Sequence, residues 1–465
     1  MSKTTSYGLF IDFGSTFTKA IVIDFDGERV VGRAQTPSTV ETDITLGLNA
    51  VLDKINKVQE VEPAYRYKLA CSSAAGGLRM VTIGLVPELT AEAAKRAALG
   101  AGAKVVGVFS YKLTKKELHE LETMAPDIVL LAGGTDGGDQ ETILHNATSL
   151  SRCNLHAPIV VAGNKVASDE IQAILASGDK EYVITDNVMP EMGILEVDEA
   201  RSIIREVFIR RIIEAKGSKK AEQYVERILM PTPSAVLTAA KLLSQGTPRE
   251  EGLGELVVVD IGGATTDIHS IARGDPTQPG LVQKGLPEPF VKRTVEGDLG
   301  VRYNASSIIG AVGRENFEAR LGNPNLDLED SVNELCLFTD RLPESESERG
   351  LDTELARSAA RLAMERHAGT IQTVFGPEGE VFIQYGKDLR GIKHVIGTGG
   401  PLIFNPAPEK ILEETLYSEM DPLSLKPKAP EFYLDERYLL YAIGLMSEVE
   451  PDKALRVAKK YLKRL

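Results

Sequence analysis

YGLFIDFGSTFTKAIVID, residues 7–24, and ELVVVDIGGATTDIHS, residues 255–270, decide how this chain is read. Both run the same way: an apolar β segment, an aspartate, a tight turn of glycine and hydroxyl residues, then a second β segment. The first turn holds Asp12, Gly14, Ser15 and Thr16, with Lys19 on the outgoing strand. The second holds Asp260, Gly262, Gly263, Thr265 and Thr266, with Asp267 just beyond. Such a hairpin can aim backbone N–H groups and hydroxyls at phosphate oxygens. The aspartate beside it can hold a hydrated magnesium ion, which prefers a few carboxylates plus water and phosphate. Two such turns facing each other would grip a nucleotide's phosphates from both sides.

A third short run, Gly397-Thr398-Gly399-Gly400, follows the apolar segment HVIG. A glycine-rich turn between strand and helix lets backbone pack against a flat base and ribose. Singly, each of the three runs also reads as an ordinary turn. Their order along the chain gives them joint weight.

Composition excludes several other classes. At 465 residues the chain exceeds one ordinary core, so two or more domains are expected. Hydrophobic content of 43% and charged content of 26% describe a globular protein. The net charge of −14 argues against nonspecific binding to nucleic acid or an anionic membrane surface. No apolar run reaches the ~18 residues that mark a membrane helix. β grammar begins almost at once, so no signal peptide is expected. Cys71, Cys153 and Cys336 are widely separated and none sits beside a His. They read as buried thiols in a reducing cytoplasm, not as a disulfide framework or zinc site.

The rest of the chain sorts into segments. Residues 7–36 read as three strands, with Asp26-Gly27 turning the second into the third. A helix is expected near 43–57, from Leu46, Leu48, Val51, Leu52 and Ile55. From about 90 to 190 short apolar strands alternate with amphipathic helices, the grammar of a parallel sheet. The expected division is 1–90 for the N-terminal part of a first half and 91–195 for an inserted Rossmann- or flavodoxin-like subdomain. Residues 196–250 would complete the first half, and 251–465 would form the second.

Together the three turns resemble the actin/Hsp70/sugar-kinase ATPase superfamily. That resemblance implies an α/β protein of actin-like ATPase fold, two RNase H-like halves with an inserted parallel α/β subdomain. It implies ATP and magnesium as cofactors, with Asp12 and Asp260 facing the metal through water. It also implies linking helices at 233–245 and 435–448, meeting at the small residues Ala235, Ala239, Ala442 and Gly444. In Hsp70-like members a Glu precedes the Pro-Thr-Ala that opens the first linking helix, and that Glu helps position water. Here the string is Pro231-Thr232-Pro233-Ser234-Ala235, which puts Thr232 in the catalytic set where the carboxylate would stand. Slow hydrolysis is the expectation, suited to a switch.

A closer resemblance runs through FIDFGSTFTKA, CSSAAGGLRM, DIVLLAGGTDGGD, VVAGNK, NVMPEMG, PTPSAV, VVDIGGATTDIHS and IGTGG. These strings are similar to the accessory proteins of coenzyme B12-dependent glutamate mutase, the MutL or GlmL family. The resemblance implies a cytoplasmic reactivating chaperone that exchanges damaged cobalamin on a B12-dependent mutase. Oligomeric state is left open. The usual Asp-x-His-x-x-Gly cobalamin motif is absent, so direct His ligation is not expected. Two rivals on the same fold are a small-molecule kinase, with Asp267 as its base, and a scaffold that binds nucleotide without hydrolysis. In the insert, the run from Leu131 to Asp139 reads as a tight βα turn with a helix cap, or as a partner-docking loop using Asp136 and Asp139.

Overall fold

A computed structural model describes residues 6–39, 43–59, 64–73, 78–215, 227–376 and 379–465. The expected surface connection at 218–224 and part of the CSSAAGG run lie outside the described residues.

The first half is built on β1 (Tyr7–Phe13), β2 (Phe17–Asp24), β3 (Arg29–Pro37) and β4 (Tyr65–Ser72). The inserted layer contributes β5 (Leu78–Gly84), β6 (Ala103–Ser110), β7 (Ile128–Leu131), β8 (Ile159–Val161) and β9 (Tyr182–Ile184). The chain then returns to the first sheet with β10 (Arg227–Pro231). The second half carries β11 (Leu256–Ile261), β12 (Thr266–Ile271), β13 (Leu281–Gln283), β14 (Val291–Glu296), β15 (Thr370–Gly376) and β16 (Gly379–Tyr385). It closes with β17 (His394–Thr398), β18 (Glu431–Leu434) and β19 (Lys463–Arg464).

Two sheets share one strand order. The first runs β3-β2-β1-β4-β10 and the second β14-β12-β11-β17-β18, with β19 added at the edge. In each, the first three strands pair antiparallel and the fourth and fifth run parallel to the first. That repeated order makes this an actin-like fold of two RNase H-like halves. Between β4 and β10 of the first half, the chain builds the all-parallel sheet β6-β5-β7-β8-β9. Its start differs from the expected boundary at 91. β5 pairs with both β6 and β7, so residues 78–84 belong to the inserted sheet. The apolar run LRMVTIG has no periodicity that distinguishes a strand of one parallel sheet from a strand of its neighbour. β18 was not anticipated; the helix expected over 435–448 spans only Leu440–Ser447.

The central strands are buried on both faces, and their alternation fixes where each aspartate points. Leu9, Ile11 and Phe13 face the core beneath the inserted layer, while Phe10 faces the opposite core. In β11, Leu256 and Val258 face that same second core, and Val257, Val259 and Ile261 face a third. The shared core between the sheets holds the first linking helix (Thr232–Gln245) and the second (Leu440–Ser447). Asp12 shares parity with Phe10, and Asp260 with Val258. Both aspartates are therefore delivered to the side where the halves meet.

Gly444 sets how closely the linking helices approach. A Cβ there would stand 2.0 Å from the Ala235 carbonyl oxygen. Gly444→Val should push the helices apart and lower stability by roughly 1–3 kcal/mol. Denaturant unfolding followed by circular dichroism checks this; an unchanged midpoint would refute the close packing.

Candidate functional site

The two turns close in the same way. The Gly14 N–H donates to the Phe17 carbonyl at 3.2 Å, and the Gly262 N–H to the Thr265 carbonyl at 2.9 Å. A Cβ on Gly14 would meet the Phe17 oxygen at 2.6 Å, so this turn requires glycine. Ser38 braces the first turn by donating to the Gly14 carbonyl at 2.7 Å. The carbonyls of the second turn are drawn backwards: Gly262 accepts from Val301, and Gly263 from Arg302 and Tyr303. The N–H groups of Gly263, Ala264 and Thr265 have no hydrogen-bond acceptor among the described residues. A run of free backbone donors favours an anion.

Both turns line one cleft between the halves. Asp12, Gly14, Ser15, Thr16, Lys19 and Thr232 line it on one side; Asp260, Gly262, Gly263, Thr265 and Asp267 on the other. Gly400 joins them from the third run. The remaining candidates are elsewhere. Thr266 is fully buried and donates to the Leu299 carbonyl at 2.7 Å. Thr398 is buried and donates to Asp435 at 3.1 Å; Asp435 in turn caps the second linking helix through the N–H groups of Leu439 and Leu440. Gly397 packs against Leu402 and Leu412. Gly399 adopts φ +98, and a Cβ there would stand 2.1 Å from the Ile261 carbonyl oxygen. These four shape the cleft from behind and do not line it.

Asp12 is buried, with a partner at each oxygen. The Thr232 hydroxyl donates to its Oδ1 at 2.6 Å, and the Lys19 ammonium stands 3.6 Å from its Oδ2. The same ammonium lies 3.6 Å from the ring centre of Tyr438, a cation–π contact. The Cys71 thiol is 3.7 Å from Asp12 Oδ1; burial and then the Asp12 charge push it well above its ordinary range. Thr232 is thus a donor that orients Asp12, not a proton acceptor.

Asp260 is the strained member. Burial first, and then repulsion from Asp267, Asp12 and Asp435, raise it to about 7 against an opposing pull from Lys19. A divalent cation would relieve that crowding. Among the described residues no three His, Cys, Asp or Glu side chains form a metal-binding group. Two carboxylates facing one cleft, beside a turn with free backbone donors, fit a hydrated magnesium ion, which takes few protein ligands.

Sequence reasoning missed Tyr438 and the cleft's far wall. Arg302 lines the cleft and makes a bidentate pair with Asp352, at 2.8 and 2.7 Å. Phe404 and Leu342, both well exposed, line the same end. None of these lies in a short motif, so no local signal marks them. In the insert, Asp136 is half-buried and hydrogen-bonded. Its Oδ1 accepts from the Lys165 N–H and from Asn187, which ties three loops together. Asp139 caps the following helix by accepting from the Thr142 N–H at 3.1 Å.

These features define an actin-like protein whose two halves present paired aspartate turns to a common cleft. Residues 8–462 match the family model described as MutL protein. Protein MutL from Clostridium tetanomorphum is 49% identical over 455 residues, covering 98% of each chain. The chain belongs to the MutL protein family. Among solved structures it is similar to gluconate kinase from Lactobacillus acidophilus, with 9% identity, TM-score 0.36, and 99% and 93% of the two chains covered. Xylulose kinase from Bifidobacterium adolescentis gives 9% identity and TM-score 0.32, over 99% and 96%. ROK hexokinase from Thermus thermophilus gives 12% identity and TM-score 0.27, over 96% and 99%. The two matching strand orders, and not these overlaps, carry the fold. Among the described residues no helix is long and apolar enough to cross a membrane.

In the unfolded chain Asp260 titrates near 3.8, and in the fold at about 7. The fold holds this proton more tightly than the unfolded chain does. Its stabilising contribution is therefore present below the unfolded value and is lost as pH rises towards 7. In metal-free buffer, Asp260→Asn should be more stable than the parent by on the order of 1–4 kcal/mol above about pH 8, with the gain shrinking towards about pH 4. Urea unfolding at several pH values checks it; a gain independent of pH would contradict it.

Proposed function

We propose that this protein binds ATP with magnesium in the cleft and acts as a slowly hydrolysing accessory factor for a coenzyme B12-dependent mutase of glutamate mutase type. The observation that carries the nucleotide reading is the pair of aspartate turns converging from two copies of one sheet order. Free N–H groups at Gly263 to Thr265 suit phosphate oxygens. Asp12 and Asp260 would hold the hydrated magnesium, which would neutralise phosphate charge. Lys19 adds a positive charge beside Asp12. The membership in the MutL protein family supports the mutase partner.

Thr232 supports slow turnover. Its hydroxyl already donates to Asp12, so it lacks the carboxylate that would orient and deprotonate an attacking water. The contacts of Asp267 favour the switch over the kinase alternative, for which Asp267 was the candidate base. Asp267 Oδ1 is held by Arg293 at 2.6 and 2.8 Å and Oδ2 accepts from Thr265, which leaves Oδ2 a single acceptor site for a substrate hydroxyl. The division of labour proposed here keeps nucleotide on the two halves and mutase contact on the inserted layer.

Titration calorimetry should show ATP binding that depends on magnesium, and Asp260→Ala should abolish the magnesium dependence. Phosphate release from the isolated protein should fall well below the enzymatic median of about 10 per second. A rate at or above that median would reject the switch reading. A tagged pull-down should retain a B12-dependent mutase; loss of the mutase under all nucleotide conditions would reject the partner.

A further inference from the structure

Arg293 lies on β14, almost fully buried. Its Nε and Nη2 both reach Oδ1 of Asp267, at 2.8 and 2.6 Å. Its Nη1 donates to the carbonyl oxygens of Leu99 and Ala103, at 3.1 and 2.9 Å. Those carbonyls belong to the inserted layer, at the end of the helix Glu92–Gly100 and the start of β6. On the other side of Asp267, Oδ2 accepts the Thr265 hydroxyl at 2.9 Å. An unbroken hydrogen-bonded chain thus runs from a cleft hydroxyl, through Asp267 and Arg293, to the insert.

Two further ties fasten the same end of the insert. Arg96 donates to the Pro287 carbonyl at 2.7 Å and to Glu288 at 3.0 Å, both in the second half. Ser234, on the first linking helix, donates to the Ala101 carbonyl at 2.8 Å. The inserted layer is therefore bound to the second half as well as to the half whose sequence it interrupts. A free hinge at this end does not fit these contacts.

A threonine hydroxyl has one proton to donate. Here Thr265 gives it to Asp267. A phosphate oxygen arriving at the loop would compete for that proton and would also repel the carboxylate. Arg293 is the cation hydrogen-bonded to Asp267, so any adjustment of the carboxylate passes to Arg293 and to the two carbonyls it holds. We propose that Arg293 positions the second turn through Asp267 and transmits phosphate occupancy of that turn to residues 99–103 of the insert. The proposal rests on the reading of the cleft as a nucleotide site.

Hydrogen exchange with mass spectrometry tests it on the full chain. Equilibrium dialysis with ATP and magnesium reports occupancy separately, so a failure to bind would count against the nucleotide reading alone. In nucleotide-free protein, Asp267→Asn weakens the anchor of Arg293 without touching the insert. Amides of residues 99–110 should then exchange roughly tenfold faster, the effect of losing one charge-assisted hydrogen bond. With ATP and magnesium saturating, the parent should change its exchange in the same amides. Arg293→Met should lose that response, and Arg293→Lys should recover part of it. Unaltered exchange in nucleotide-free Asp267→Asn overturns the proposal, whether or not ATP binds. A nucleotide response that survives in Arg293→Met also overturns it.

Discussion

Two carboxylates at the ends of two equivalent central strands, brought to face one cleft, are the constraint on which the structure turns. Burying like charges near one another is costly unless a cation or a proton intervenes. The protein meets that cost unevenly. Asp12 receives a hydroxyl and an ammonium, from Thr232 and Lys19. Asp260 takes neither bond and is instead pushed up to about 7 by burial and its acidic neighbours. One member is satisfied in advance and the other is held in a poor state that a cation would improve. Such an imbalance is characteristic of a site shaped for a ligand more than for stability.

The apolar architecture exists to hold that pair in place. Period-two alternation in β1 and β11 sends both aspartates to the shared core side. The linking helices fill that core, and Gly444 lets them meet backbone to backbone. The third glycine run contributes by packing. Gly399 permits β17 to press against Ile261 of β11, and Thr398 anchors the cap of the second linking helix through Asp435. Sliding or hinging of one half on the other would be felt directly at Thr232, which opens the first linking helix and holds Asp12.

Much of this was legible in the sequence because it is local. Asp-turn hairpins, the small residues of the linking helices and the strand–helix alternation of the insert each lie within a short window. What was missed is long-range. Arg302 and Asp352 are paired across 50 positions, and Arg293 reaches back to Leu99 across 194. Neither has a spacing that periodicity can detect. The start of the insert was misread because β5 and β4 are both buried apolar strands, and only pairing tells which sheet each joins. Thr266, Gly397, Thr398 and Gly399 were assigned to the ligand because a motif marks a turn without saying which residues face the cleft. Asp139 is exposed and Asp136 half-buried, and backbone donors engage both, a pairing that the turn motif does not reveal.

The central claim is that Asp12 and Asp260 jointly face a nucleotide-bound divalent cation. A crystal structure with manganese and a non-hydrolysable ATP analogue, phased for anomalous scattering, tests it most directly. The account predicts a manganese peak in the cleft between the two carboxylates, beside phosphates lying on the turns at Gly14–Thr16 and Gly262–Thr265. An ordered analogue bound elsewhere, or bound in the cleft with no peak between Asp12 and Asp260, would contradict it.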